Sequence, residues 1–263
     1  MELEPHIICL NTGFWTKMHK PNITMFFPAY NEAENIPKLL KSAVKILKEV
    51  ANDYEILVIA YGGSSDGTIG IARRFAAKNK KIRLLIQPKE KKGIGYAKMM
   101  GFKNAKFPYI FYADSDNQFD LDEFRKFLPY IEEYDIIAGY RIKRHDPKTR
   151  IVISKIYNAM MRLLFGAKER DLDCAFRLVN KRVINSISLN CKTGVATTEL
   201  LAKARGKGFR IKEIGINHYP RILGKPVFEW EIGLNLPKPK VVFDILREII
   251  ALWFDIRMKG EKR

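Results

Sequence analysis

A chain of 263 residues that is 47% hydrophobic and 29% charged can bury a full core, which excludes a disordered protein and fits one large domain or a domain with a small appendage. Its formal net charge of +18 attracts polyanions, whether nucleic acid, anionic lipid headgroups or phosphorylated substrates. No apolar run reaches the roughly 18 residues of a membrane-spanning helix, and Cys9, Cys174 and Cys191 lack metal-ligand spacing, so three buried thiols in a reducing cytosolic compartment are expected.

Residues 1–22 match nothing that follows. Their apolar stretch, Ile7-Ile8-Cys9-Leu10, is too short for a secretory signal and is preceded by acids rather than bases; Met18 is expected to be the natural start. From residue 23 to 140, strands and helices alternate: strands over 23–27, 55–60, 82–86, 109–113 and 135–138, helices over 36–50, 67–78, 96–105 and 121–133. That order predicts an α/β fold, a mostly parallel sheet with helices on both faces. Asp120 and Glu123 have the spacing of a capping box, and Ser64, Ser65 and Asp66 are cap candidates for the second helix. Beyond residue 140 the pattern loosens to a helix over 154–165, a strand over 175–179, a helix over 198–205 and a strand over 210–216. The organisation expected is an extension over 1–22, a domain over 23–225 and an amphipathic helix with a basic tail over 226–263. In that helix, apolar residues from Val241 to Ile256 alternate with Lys and Arg, which suits either a membrane interface or packing on protein.

The segment richest in chemistry is Tyr109-Ile110-Phe111-Tyr112-Ala113-Asp114-Ser115-Asp116-Asn117-Gln118, an apolar strand that ends on two carboxylates. Ligands of open α/β sheets bind beyond the carboxyl ends of strands, and Asp114 and Asp116 project to the same side if strand geometry persists. Neither has a basic neighbour in sequence. Such a pair either ends a solvated turn or holds a hard cation, Mg²⁺ or Mn²⁺, which takes one or two carboxylates and completes its shell with phosphates and water.

Two further strand ends, Phe27-Pro28-Ala29-Tyr30-Asn31-Glu32 and Gly63-Ser64-Ser65-Asp66-Gly67-Thr68, precede it in the order found in inverting family-2 glycosyltransferases of the GT-A fold, which this chain resembles. Gly139-Tyr140-Arg141, Asp171-Leu172-Asp173-Cys174-Ala175-Phe176-Arg177-Leu178 and His218-Tyr219-Pro220-Arg221 resemble the dolichol-phosphate mannose synthase branch. The resemblance implies that Asp114, Asp116 and Gln118 hold the divalent metal. It implies donor contacts from Pro28, Ala29, Tyr30, Glu32, Asp66 and Lys92 of a basic glycine-containing loop, and from Arg221 and Lys225 of a loop that closes on the diphosphate; Tyr61, a departure from the family, is expected to meet the base by stacking or through its hydroxyl. Arg141, Arg150 and Ser154 match positions that grip the phosphate of a polyprenyl-phosphate acceptor.

The expected activity is transfer of a hexose from a nucleotide sugar to a polyprenyl phosphate, by a peripheral protein at the cytosolic face of an anionic membrane. A phosphomonoester, with a second pKa of about 6, is already ionised near neutrality and hardly needs a general base. A hydroxyl of a saccharide or small molecule would need one, and Asp173 and Glu199 are the carboxylates best placed to orient or deprotonate it. The family's two acids before Gly63 are replaced here by Tyr61 and Gly62, which leaves the donor's base and sugar open. The same replacement keeps a third alternative, a non-catalytic binding protein with this fold. No motif for specific nucleic-acid recognition is present.

Overall fold

The structure, a computed structural model, describes residues 20–146, 148–224 and 238–258. The expected Met18 start, Cys9 and Lys225 lie outside the described residues. Strands β1 (Asn22–Ala29), β2 (Asp53–Tyr61), β3 (Ile82–Gln87), β4 (Tyr109–Ala113), β5 (Ile136–Arg141), β6 (Phe176–Asn180) and β7 (Ile211–Ile216) form one sheet in the order β3-β2-β1-β4-β6-β5-β7. Neighbours pair in parallel, except that β6 runs antiparallel to both β4 and β5.

β1 and β2 are continuous apolar runs because both faces of the sheet are covered. Ile23, Met25 and Phe27 of β1 and Ile56 and Val58 of β2 point to one layer, formed by α1 (Ile36–Val50), α2 (Thr68–Lys78) and two 3-10 turns, Leu121–Lys126 and Leu128–Tyr130. Phe26, Leu57 and Ile59 alternate to the other layer, formed by α3 (Ile94–Asn104), α4 (Lys148–Phe165), α5 (Lys181–Ser186), α6 (Val195–Gly206) and α7 (Pro239–Met258). Phe111, Phe124, Phe127 and Phe176 meet edge to face in the first layer.

The helix expected over 121–133 is instead the two 3-10 turns. Pro129 has no N–H to give to the carbonyl one turn back, so the run does not propagate as one α-helix. The capping box is also incomplete: Asp120 accepts from Asp122 N–H at 3.0 Å, but the Glu123 carboxylate reaches away to Asn217 N–H at 2.9 Å. α5, absent from the periodicity, is a six-residue turn whose start Asn180 caps at Arg182 N–H.

α7 docks on the body with one face. Ile249 and Leu252 are buried, Lys203 of α6 sits between Glu199 (2.8 Å) and Asp255 (2.6 Å), and Glu248 accepts from Lys192 N–H, Thr193 N–H and the Thr193 hydroxyl. The other face leaves Phe243, Leu246, Ile250 and Phe254 exposed beside Lys240, Arg247 and Arg257. No helix among the described residues is long and apolar enough to cross a membrane.

Candidate active site

The parallel pairing of β2, β1 and β4, with β5 running the same way, brings the ends at Tyr61, Ala29, Ala113 and Arg141 to one edge of the sheet. β6 runs oppositely, with Phe176 facing Ala113, so Asp173 arrives at that edge from the other direction. There the Ser115 hydroxyl donates to Pro28 O at 2.7 Å, tying β4 to β1. Asn117 takes a left-handed conformation, which Asn tolerates, and its amide binds Asn35 O and Oδ1. That turn lets Gln118 N–H donate back to Asp116 Oδ1 at 3.1 Å.

Burial, and then the Asp116 charge, push the Asp114 carboxyl up to about 6; burial also raises Asp116. Lys98, Arg150 and Arg141 act against that rise at Asp114, and Arg221 and Arg150 act against it at Asp116. Lys98, unexpected from sequence, is a buried α3 lysine whose ammonium bonds the Thr197 hydroxyl and lies 5.3 Å from the Tyr112 ring centroid. Two neighbouring carboxylates, one of them raised by the other's charge, are hard oxygen ligands of the kind that Mg²⁺ or Mn²⁺ takes. Among the described residues no third His, Cys, Asp or Glu joins them.

A segment from Asn217 to Gly224 lies across these acids. Tyr219 N–H donates to Gln118 O, and Gln118 Nε2 donates to Tyr219 O. Arg221 Nη2 donates to both oxygens of Glu32 at 2.8 Å, and its Nη1 stands 3.5 Å from Asp116 Oδ2. Glu32, expected in the nucleotide wall, is buried and also accepts from Asn35 Nδ2, so here it holds Arg221 in place.

At the ends of β1 and β2, Tyr30 and Tyr61 meet edge to face at 5.2 Å, and Lys92 Nζ stands 5.9 Å from the Tyr30 ring centroid. The Tyr61 hydroxyl donates to Lys89 O at 2.7 Å. A Cβ at Gly62 would lie 2.9 Å from Gln87 O, so the strand that follows has closed over the position where the family carries an acid. Asp66 is occupied by Ala33 N–H, Thr68 N–H and the Thr68 hydroxyl, and although burial opposes it, these bonds hold its carboxyl below the usual range. Its observed task is to join the loops after β1 and β2.

The cations of the opposite wall form one network. Arg141 binds Asp171 through two parallel bonds, at 2.6 and 2.7 Å. Arg144 Nη1 donates to the Ser154 hydroxyl at 2.7 Å, and Ser154 donates to Asp173 Oδ2 at 2.7 Å. Asp146 lies at the centre, 2.9 Å from Arg144, 3.2 Å from Arg150 and 3.5 Å from Arg141. Asp173 has an open edge, yet the surrounding protein desolvates its carboxyl and pushes it up. His218, buried against Phe119 with no partner for Nδ1, is pushed down to about 4 by burial and then by the Arg141 charge. Sequence reasoning missed Arg144 and Asp146; the basic density of Arg141-Ile142-Lys143-Arg144-His145-Asp146 was the available signal.

Glu199 belongs to a different structure. It is 1% exposed, and its carboxylate accepts from Asn190 N–H, Cys191 N–H and Lys203 Nζ. The loop it holds presses on the start of α3 after the glycine-containing loop: Gly95 N–H donates to Lys192 O, and any Cβ at Gly95 would collide with Cys191 O. Its spacing from Lys203, i to i+4 on one helix, was the sequence sign of this pairing.

The chain matches the model of Glycosyl transferase family 2 over residues 24–188. It is 27% identical over 240 residues to Glycosyltransferase AglD of Haloferax volcanii, covering 88% of this chain and 35% of that protein. It is also 27% identical over 215 residues to the undecaprenyl-phosphate 4-deoxy-4-formamido-L-arabinose transferase of Proteus mirabilis, covering 81% of this chain and 65% of that one. It therefore spans 35% to 65% of the length of these curated relatives. Among solved structures, glucosyl-3-phosphoglycerate synthase from Mycobacterium tuberculosis, crystallised with Mn²⁺, uridine diphosphate and phosphoglyceric acid, superposes with a TM-score of 0.63 at 14% identity, covering 89% of this chain and 78% of that one. At that identity the likeness is one of fold.

Proposed function

The chain belongs to glycosyl transferase family 2 and has its GT-A fold, and from that premise we propose that it moves a hexose from a nucleotide sugar to a polyprenyl phosphate, in a single inverting displacement. The observation that carries this reading is the network of Arg141, Arg144, Arg150 and Ser154, in which the Arg150 charge acts on both strand-end acids and the Arg141 charge on Asp114. Cations beside a donor site suit an acceptor that is itself an anion.

Asp114, Asp116 and Gln118 would hold a divalent cation, which supplies positive charge to the leaving diphosphate. Arg221, from the segment above them, moves its guanidinium from Glu32 to a diphosphate oxygen, and Lys92 approaches from the glycine-containing loop. Tyr30 and Tyr61 offer ring surface to the base, with specificity that differs from that of an acid at position 62. Arg144, Arg150 and Ser154 orient the acceptor phosphate, which attacks the anomeric carbon from the face opposite the leaving group. Because that nucleophile is already ionised, no carboxylate has to take its proton, in keeping with the full occupation of Glu199. Asp173 favours a second reading, a hydroxyl acceptor, since its carboxylate has an open edge, already accepts from a hydroxyl at Ser154, and is made more basic by burial.

The exposed row Phe243, Leu246, Ile250 and Phe254, bordered by Lys240, Arg247 and Arg257, supports peripheral attachment to an anionic bilayer at its cytosolic face, where a lipid acceptor would be met. A panel of nucleotide sugars offered with Mg²⁺ or Mn²⁺ and a short polyprenyl phosphate tests the proposal. A glycosylated lipid phosphate is expected from at least one donor. Transfer that proceeds only to hydroxyl acceptors, and depends on Asp173 rather than Arg150, would replace the phosphate reading.

A further inference from the structure

We propose that Asp146 is a resident counter-ion that occupies the seat of the acceptor phosphate and is displaced when the acceptor binds. The inference rests on the reading of the acceptor as a phosphate and names the device that guards its seat. The Asp146 side chain is 3% exposed, and three guanidiniums converge on it: Oδ2 faces Arg144 Nη2 at 2.9 Å and Arg141 Nη1 at 3.5 Å, and Oδ1 faces Arg150 Nη1 at 3.2 Å. Burial works against its charge, but Arg150 and Arg144 outweigh it and keep the carboxyl below the usual range.

Charge counting sets the assignment. Asp171 already neutralises Arg141 through the paired bonds, so Asp146 answers chiefly Arg144 and Arg150. With Asp146 withdrawn, both guanidiniums lose the carboxylate they share, and a phosphomonoester, roughly −1.5 to −2 at neutral pH, can take its place while Arg150 also acts on Asp114 and Asp116. With Asp146 in place, a phosphate bound to the same guanidiniums would meet a carboxylate at close range, which is repulsive. Arg144 also donates to the Ser154 hydroxyl, which in turn donates to Asp173.

The position of Asp146 in the chain permits the exchange. It lies between the end of β5 at Arg141 and the start of α4 at Lys148, in a stretch where Ile142, Lys143 and His145 are exposed. Among the described residues it takes part in no strand pairing. A carboxylate needed only to hold the arginines apart and in register would behave oppositely, because its loss would scatter them.

The test compares the full chain with Asp146→Asn and Asp146→Glu, the second keeping the charge. Calorimetry with inorganic phosphate, without donor, is expected to show binding to Asp146→Asn tighter by on the order of tenfold, the effect of removing one nearby like charge at partial exposure. Asp146→Glu is expected to bind as the parent does, and Arg144→Gln added to Asp146→Asn is expected to erase the gain. In transfer assays the KM for polyprenyl phosphate should fall in Asp146→Asn while that for the donor stays unchanged. Unchanged or weaker phosphate binding in a folded Asp146→Asn overturns the proposal, even if polyprenyl phosphate is a substrate. Conversely, a gain in phosphate binding by a protein that glycosylates no lipid phosphate upholds the displaced counter-ion and removes the lipid from the reading.

Discussion

Replacing Glu199 by alanine removes a carboxylate that three donors share. Cys191 N–H at 2.8 Å and Asn190 N–H at 2.9 Å lose their acceptor in a buried setting, and Lys203 loses one of its two carboxylates while keeping Asp255 and Ser188 O. An orphaned buried donor costs about 1–3 kcal/mol, so two of them plus the weakened ion pair amount to roughly 3–5 kcal/mol. That is a large part of the ~5–15 kcal/mol by which a domain of this kind is stable. Glu199→Gln keeps the shape and one acceptor oxygen, and should lose roughly 1–2 kcal/mol by the same reasoning. Urea unfolding of the full chain, with the slope unchanged, reads both losses. Folded Glu199→Gln is expected to retain kcat within about threefold, since its contribution is to the loop behind Gly95 and not to the reacting atoms. The reasoning fails if Glu199→Gln keeps its stability while transfer falls by about a hundredfold or more, a pattern that belongs to a group acting in the transition state.

Asp116→Ala, or excess chelator with the unaltered chain, should lower transfer by on the order of a thousandfold while leaving the fold intact, read by product formation and circular dichroism. Product that persists under both would remove the acid pair from the chemistry. His218 contributes a pH dependence of known sign: its folded pKa of about 4 lies below the ordinary 6.5, so the unfolded chain takes the proton first and stability falls as pH drops from 6.5 towards 4. Urea unfolding at pH 7.5 and pH 5 should therefore show a smaller acid loss for His218→Asn than for the parent, by roughly 1–2 kcal/mol. Replacing Leu246, Ile250 and Phe254 together by serine should abolish co-sedimentation with anionic vesicles and shift the melting temperature by no more than about 2 °C, because these side chains are already exposed. Retained vesicle binding would assign α7 another role.

The alternation of strand and helix up to residue 141, the acids at the end of β4 and the two-sided character of α7 were all legible in the sequence, since each is a local pattern of apolar spacing or of adjacent residues. The 3-10 turns were misread because the same spacing serves both kinds of helix, and Pro129 decides between them. Which charge meets which was decided only by the tertiary structure. Arg221 reaches Glu32 across 189 positions, Arg141 meets Asp171 across 30, and Asp146 gathers three arginines that sequence would scatter over a surface. Hydrophobic periodicity is repeated along an element and survives the loss of any one residue, whereas an ion pair depends on two side chains brought together by the whole sheet. The sequence therefore determined that two acids end β4, and the fold decided that Glu199 braces a loop and that Asp146 gathers three arginines.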